Sequence, residues 1–387
     1  MNTGMNHQSL KYKNRGLLLK LICTGRRPTR VQLSKATGLT KMAVTNAIEE
    51  IMRQGYIVEG PIAPNSTVGR NPIILTVSPQ APKILALYLF REGCRAGLFD
   101  LQLNLLAQAE EPFGEETADT VMEKLFRTAG RLPVSGGELL GCGVSVIGPL
   151  DAAGGTVLNP PDFFGIRDLP LKRMIQQQYR TNVIINNDMN TAALAEKLYG
   201  DGKKYRRFLY VGISNGIGSG IISDDRMYDN GSGFAGELGH VSIDFHGRAC
   251  PCGRRGCLER YISKPVVQQT LREATGWDLS FREFCEKADD PQVDRILTEM
   301  MEYLSYALVD QVNMLNPQMI YLGHEGSFLP DRYLRLLERR IGRDRLAQNA
   351  ERTSVKRSAF GVLAPLYGGA CLVLNELFES GRIAERE

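Results

Sequence analysis

Asp is absent from the first eighty residues, cysteine is sparse throughout, and no long apolar run occurs anywhere in the chain. Each absence removes a class of protein. Eight cysteines in 387 residues, five of them scattered (Cys23, Cys94, Cys142, Cys285 and Cys371), do not make a disulfide framework, and in a reducing compartment they are expected as buried thiols. No stretch approaches the ~18 consecutive apolar residues of a membrane helix. The opening MNTGMNHQSLKYKNRG has charge but neither an apolar centre nor a small-residue cleavage site, so a secretory signal is not expected. No internal repeat or low-complexity tract stands out. A soluble, cytoplasmic protein with no membrane association is the expectation, long enough for two or three domains.

Charge is unevenly spread. Residues 1–80 hold 11 Lys and Arg against three Glu and no Asp, a net +8, whereas the remainder holds 36 against 40, a net −4. A basic front end on a mildly acidic body suits one small domain that meets a polyanion and a larger one that does not. In RGLLLKLICT, Leu17, Leu18, Leu21 and Ile22 recur at helical spacing before Gly25. Thr29 and Gln32 have capping-box spacing at the start of a second helix that ends near Gly38. Thr40 can cap a third, whose Val44, Ala47, Ile48 and Ile51 form one apolar stripe. Its other face offers Lys41, Met42, Thr45 and Asn46. GYIVEG and NPIILTV read as the strands of a wing around PIAPNSTVGR, with Arg70 at the return. The pattern predicts a winged helix-turn-helix over residues 1–80 that reads double-stranded DNA through Thr40, Lys41, Met42, Thr45, Asn46 and Arg70. A small helical module that binds protein is the plainer alternative.

Beyond Pro79 and Pro82 the segments KILALYLF, CRAGLFDL, LLGCGVSVIG, TNVIINND, RRFLYVGISN and QMIYLGHE are short, apolar and strand-like. ADTVMEKLFRTAG, LPLKRMIQQQY, MNTAALAEKLYG and TEMMEYLSYALVDQVNMLN read as helices, so the body is an α/β fold whose ligands belong at the carboxyl ends of strands. The densest stretch is GELGHVSIDFHGRACPCGRRGCLER, residues 236–260. His240, Cys250, Cys252 and Cys257 supply one imidazole and three thiolates, a donor set suited to tetrahedral, structural Zn2+ with no open coordination position. A redox cluster is the other chemistry such thiols support.

The winged front end, GELGH and CPCGRRGCLE together resemble the ROK family (repressors, open reading frames and sugar kinases) over nearly the whole chain. The resemblance implies a two-lobed actin-like sugar-kinase (hexokinase) fold: lobes at 81–198 and 199–364, the second carrying the metal loop 240–259, with a C-terminal helix at 365–387 returning to the first. It also implies a sugar and ATP cleft between the lobes. Family kinases hold the sugar with residues matching Asn187, Asp188, Glu237, His240 and Glu259, all present here, and Asp188 matches the kinase base. As a matter of residue chemistry, Asp188 is also placed to cap the helix that follows it.

The nucleotide half departs from the family. Its DxGxT pattern, laid without gaps on this sequence, falls on Tyr88, Phe90 and Glu92, where bulk and negative charge replace space and donors. NGIGSG keeps Gly216, Gly218 and Gly220 but has Ser214 and Asn215 where the family has Gly and Thr. GHEG carries His324 and Glu325 in a glycine run. Ile166 replaces an aromatic residue in LNPPDFFGIRDLP, the loop that covers the sugar in the family. The expectation is a non-enzymatic repressor without ATP, probing a palindromic operator as a homodimer or dimer of dimers and releasing it when a sugar or sugar phosphate binds. A bifunctional sugar kinase that binds DNA, a regulator gated by a protein partner and an inert cleft are the alternatives.

Overall fold

Three helices and a hairpin lead the chain in the computed structural model, which describes residues 7–25, 28–62, 72–134, 139–228, 235–346 and 352–383. The helices are α1 (His7–Thr24), α2 (Arg30–Thr37) and α3 (Lys41–Arg53); strands β1 (Ile57–Ile62) and β2 (Ile73–Val77) pair antiparallel. The Thr29 hydroxyl accepts from Gln32 N while the Gln32 side chain accepts from Thr29 N, and Gly38 closes α2 in the left-handed region. Thr40 caps α3 through Ala43 N at 3.2 Å. Val44, Ile48 and Ile51 are wholly buried against Leu18, Leu19 and Ile22. Leu17 differs from its place in the apolar pattern: it is 40% exposed and Leu19 fills the core instead. The wing tip, and Arg70 with it, lies outside the described residues.

The first lobe is a five-stranded sheet in the order β5-β4-β3-β6-β9, built from β3 (Lys83–Phe90), β4 (Gly93–Phe99), β5 (Leu105–Pro112), β6 (Leu139–Val146) and β9 (Val183–Asn187). Helices α4 (Ala118–Gly130) and α5 (Leu171–Tyr179) accompany it, with a two-strand ribbon β7 (Leu150–Asp151) and β8 (Thr156–Val157). Side chains of β3 alternate as a strand between two covered faces must. Leu85, Leu87 and Leu89 join the core under α4, while Ile84, Ala86 and Tyr88 face the opposite layer. β9 runs straight into α6 (Asp188–Leu198), a helix buried on every side.

The second lobe is another five-stranded sheet, β12-β11-β10-β13-β14, made of β10 (Phe208–Ile213), β11 (Ile217–Ser223), β12 (Arg226–Met227), β13 (Met319–His324) and β14 (Ser354–Arg357). Helices α7 (Glu259–Ile262), α8 (Lys264–Thr275), α9 (Phe281–Glu286), α10 (Pro291–Leu315) and α11 (Asp331–Asp344) complete it around Leu297, Met301, Leu304 and Leu308 of α10. The stretch Gly361–Ser380, which contains the last helix α12 (Ala364–Ser380), is long and apolar enough to span a membrane, but α12 is a core helix packed against α6, β3 and β6. It ends at Gly381, in the left-handed region; residues 384–387 lie outside the described residues.

α12 also carries the N-terminal helical module. Gly16 of α1 and Gly381 approach the backbone of Phe378 and Tyr12 so closely that a Cβ would overlap carbonyl oxygens at 2.1 and 1.8 Å. The buried Arg15 donates from Nε to Gly381 O at 2.6 Å and from Nη1 to Glu50 of α3 at 2.8 Å. One apolar core therefore runs from Leu18, Val44 and Ile48 into Leu374, Leu377 and Phe378. The three helices are anchored on the first lobe, not tethered by a loose linker.

Candidate functional site

Between the lobes lies a cavity of about 300 Å3, lined by Asn187, Asp188, Glu237, His240 and Glu259 together with Arg91, Pro161, Ser214 and Gly216. Asn187 and Asp188 arrive from the first lobe at the β9–α6 junction, with Arg91 from the β3–β4 turn and Pro161 from the loop before α5; Ser214 and Gly216 come from the β10–β11 turn of the second lobe, Glu237 and His240 from the segment after β12, and Glu259 from the start of α7. All five residues matched to the family's sugar contacts thus share one space. The cap of α6 differs from the sequence expectation: Asn187 is the N-cap residue, accepting from Met189 N at 2.9 Å, and Asp188 is the first helical residue. An extended Asn187 backbone places its side chain one position earlier, where an Asx cap forms.

Asp188 is 5% exposed, and burial pushes its carboxyl pKa up to about 7; Arg91, the Met189 N–H and the Tyr88 hydroxyl pull the other way, and Glu237 adds to the rise. Glu237 is likewise raised, first by desolvation in the cleft, with His240 opposing and Glu259 reinforcing. Carboxyl groups raised above their usual range are more basic when ionised, which suits them to accept hydrogen bonds from hydroxyls.

The metal loop is held by its own backbone. Ser242 bridges to Cys257 and Ala249 to Arg255, Cys250 N donates to Arg254 O at 2.9 Å, and Gly256 must be glycine because a Cβ would fall 1.7 Å from Asp244 O. His240, Cys250, Cys252 and Cys257 bring one ligand atom each to within 4.8 Å of one another. Cys252 and Cys257 sulfurs are 3.6 Å apart and His240 Nδ1 is 3.8 Å from Cys250 Sγ. A tetrahedral ion with bonds of about 2.3 Å to sulfur separates two sulfurs by about 3.8 Å, so the set fits one metal. Glu259 joins this loop to the cavity: its Oε1 accepts from Cys250 Sγ at 3.4 Å and lies 3.6 Å from His240 Nδ1.

On the other side of Asp188 the positions matched to nucleotide wall a second cavity, of about 270 Å3, with bulky and charged side chains. Tyr88 and Phe90 stack at 4.9 Å, Arg95 covers Phe90 at 5.0 Å, and the Tyr88 hydroxyl donates to Asp188 Oδ2 at 3.4 Å. Glu92 pairs across the cleft with Lys264 of α8 at 3.0 Å, and Lys264 also meets Glu325 at 3.1 Å. Glu92 is held below the usual carboxylate range by Lys264 and a hydrogen bond with Asn215, despite an opposing desolvation effect. His324 is 4% exposed, its backbone φ is +51°, its Nδ1 meets the Tyr210 hydroxyl at 3.2 Å, and burial drops its pKa to about 4. Gly218 and Gly220 are not in a loop but in β11, where a Cβ would strike Met189 Cγ at 2.7 Å and Met189 O at 2.2 Å. Their smallness serves the contact between β11 and α6, independent of any phosphate.

On the DNA-facing module, Thr40, Lys41, Met42 and Asn46 are exposed, Met42 at 70%, and Thr45 is half-buried with its hydroxyl donating to Lys41 O at 2.9 Å. Arg91 and Lys264 were not reached by motif reasoning: Arg91 occupies a strand turn and Lys264 a helix start, and neither place is marked by local sequence. Ile166, 7% exposed, packs in the first-lobe core, while Pro161 is the part of its loop that reaches the cavity.

The ROK family model matches residues 91–376. The xylose repressor of Caldicellulosiruptor bescii is 28% identical over 96% of this chain and 98% of its own. A solved ROK family transcriptional regulator, described as a homolog of the Escherichia coli MLC protein, is 25% identical with a TM-score of 0.80 over 96% of this chain and 98% of its own. A ROK hexokinase from Thermus thermophilus is 28% identical with a TM-score of 0.61 over 76% of this chain and 99% of its own.

Proposed function

The chain belongs to the ROK family, and from that premise we propose that it is a sugar-responsive transcriptional repressor whose kinase-like cleft binds an effector without phosphorylating it. The observation that carries this reading is the division of the cleft: five sugar-side residues line one cavity, while the neighbouring cavity of about 270 Å3 is walled by Tyr88, Phe90, Glu92 and His324 where family kinases place phosphate-binding residues. Asp188 keeps the position of a base, but Tyr88, Phe90 and Glu92 stand beside it where the family places its phosphate-binding pattern.

Effector contacts come from both lobes. Asn187 and Asp188 hold the sugar from the first, Glu237, His240 and Glu259 from the second, so occupancy draws the lobes together. Carboxylates accept hydroxyl protons and the amide both donates and accepts, which separates epimers by leaving a buried group unpaired when a hydroxyl moves. A small aldose is the effector class, with D-xylose the first candidate because a relative matching the chain almost end to end is named for it. Zn2+ is the metal that the Cys3His donor set fits, held by His240, Cys250, Cys252 and Cys257; when bound it would fix the loop carrying His240 and Glu259 and supply no reaction chemistry.

Coupling to DNA follows from the anchoring of α1 and α3 on α12 through Arg15. In a homodimer, lobe closure changes the spacing or angle of two recognition helices, and paired half-sites about 34–36 Å apart tolerate little error. The recognition surface is Thr40, Lys41, Met42, Thr45 and Asn46, with Arg70 of the wing. A hundredfold preference of sugar for the released state is about 2.7 kcal/mol of coupling. Fluorescence anisotropy of a labelled operator titrated with protein, with and without D-xylose, D-glucose or N-acetyl-D-glucosamine, tests the reading. One sugar should raise the operator Kd by tenfold or more; identical isotherms with all three would contradict it.

A further inference from the structure

Asn187, Asp188, Glu237, His240 and Glu259 bring chiefly acceptors to the cavity, yet a sugar also presents lone pairs on its hydroxyls and ring oxygen that require donors. The one Lys or Arg among the described residues lining that cavity is Arg91. It stands in the turn between β3 and β4, flanked by Phe90 and Glu92. Its Nε donates to Pro161 O at 2.9 Å, in the segment that reaches over the cavity. Its Nη1 would be 3.5 Å from a Cβ placed on Gly216 of the second lobe, a point that is also 3.4 Å from Glu259 Oε2. The guanidinium therefore extends from the first lobe to the glycine turn of the second, beside both Asp188 and Glu259, and lines the sugar cavity and the neighbouring cavity on the nucleotide side alike.

We propose that Arg91 is a sugar-contacting, specificity-determining residue: its Nη donors bond sugar oxygens on the side once turned toward nucleotide, while its Nε ties the covering segment down at Pro161. This rests on the effector reading above and deepens it. Three carboxylates around one guanidinium leave no surplus positive charge for an anionic ligand, so the class of ligand is a neutral aldose. The planar fork matches two neighbouring oxygens at once, which a lysine ammonium cannot do.

Calorimetry with D-xylose, D-glucose and N-acetyl-D-glucosamine on the full-length wild type, Arg91→Lys and Arg91→Met decides the matter, with hydrogen exchange over residues 158–168 measured in parallel. The tightest-binding sugar should lose about tenfold or more in Arg91→Met and about threefold to tenfold in Arg91→Lys. The ranking of the three sugars should change, sugar-free operator affinity should stay within about twofold, and exchange at 158–168 should quicken in Arg91→Met. Variants that bind every sugar within twofold of wild type, in the same order, overturn the inference while leaving the effector reading standing. A wild type silent to all three sugars overturns the effector reading and the sugar contact together; the exchange result then decides the Pro161 tether by itself, unchanged protection refuting it.

Discussion

The two halves of the cleft descend on the same residue, Asp188, and differ in what surrounds it. On the sugar side, carboxylates, an amide and an imidazole face a cavity of about 300 Å3; on the nucleotide side, a cavity of about 270 Å3 is walled by aromatic rings and by charged groups that pair with one another. The difference is physical before it is functional. Tyr88 and Phe90 exclude volume, and Glu92, Lys264, Asn215 and Glu325 satisfy each other's charges and hydrogen bonds across the lobes. A half that had merely drifted would leave such groups unpaired, and unpaired polar groups in a cleft are costly. The paired half has become part of how the lobes meet.

Removing the support beneath the open half is expected to have the largest effect. Cys252→Ser, or chelation of the wild type, should empty the metal site and cost on the order of 4 kcal/mol, read as lost zinc by elemental analysis and a lowered Tm. Undiminished metal content in the variant would remove Cys252 from the ligand set. Next comes the open half itself: Glu237→Ala should weaken effector binding about tenfold to a hundredfold, the scale of hydrogen bonds to a charged group, with operator affinity unchanged. A normal response would place Glu237 outside the site.

The shared residue supplies a pH test. Burial lifts Asp188 from 3.8 to about 7, so the folded protein keeps a proton that the unfolded chain releases across this window. Its contribution to stability is present at acid pH and declines as pH rises from about 4 to about 7. Sugar hydroxyls donate to the ionised form, so effector affinity should rise about fivefold to tenfold from pH 6 to 8. Asp188→Asn should flatten that profile. Arg91, the Tyr88 hydroxyl and Glu237 are the groups whose own changes would shift its midpoint. The smallest effect belongs to the nucleotide half: Glu92→Gln should cost no more than about 1 kcal/mol of stability, because the pair with Lys264 is half-exposed on the Glu92 side, and should not restore ATP binding. Tight ATP binding by that variant would mean that one charge alone had closed the site.

Much of this arrangement is legible from local sequence where local chemistry decides structure. The Thr29–Gln32 capping box, the Thr40 cap and the Val44–Ile48–Ile51 stripe are interactions within a few residues, and the structure has them. The Cys3His cluster is legible because a short loop must bring its own donors together. What local pattern does not carry is nonlocal. LLAQAEEP forms an edge strand although three of its eight residues are polar, because β4 pairs with it. The glycines of NGIGSG resemble a phosphate loop, but Gly218 and Gly220 lie in a strand pressed against Met189, a contact that no window of sequence contains. Arg91 and Lys264 acquire their places only when two lobes face each other.

The central claim is that the cleft holds a sugar with no help from nucleotide. Thermal unfolding of the purified full-length protein with the aldose panel, with and without ATP and Mg2+, and with ADP release followed in the same samples, tests it most directly. The account predicts that one sugar raises the Tm on its own, that ATP and Mg2+ add nothing further, and that no ADP forms; a Tm gain that requires ATP, or sugar-dependent ADP release, would contradict it.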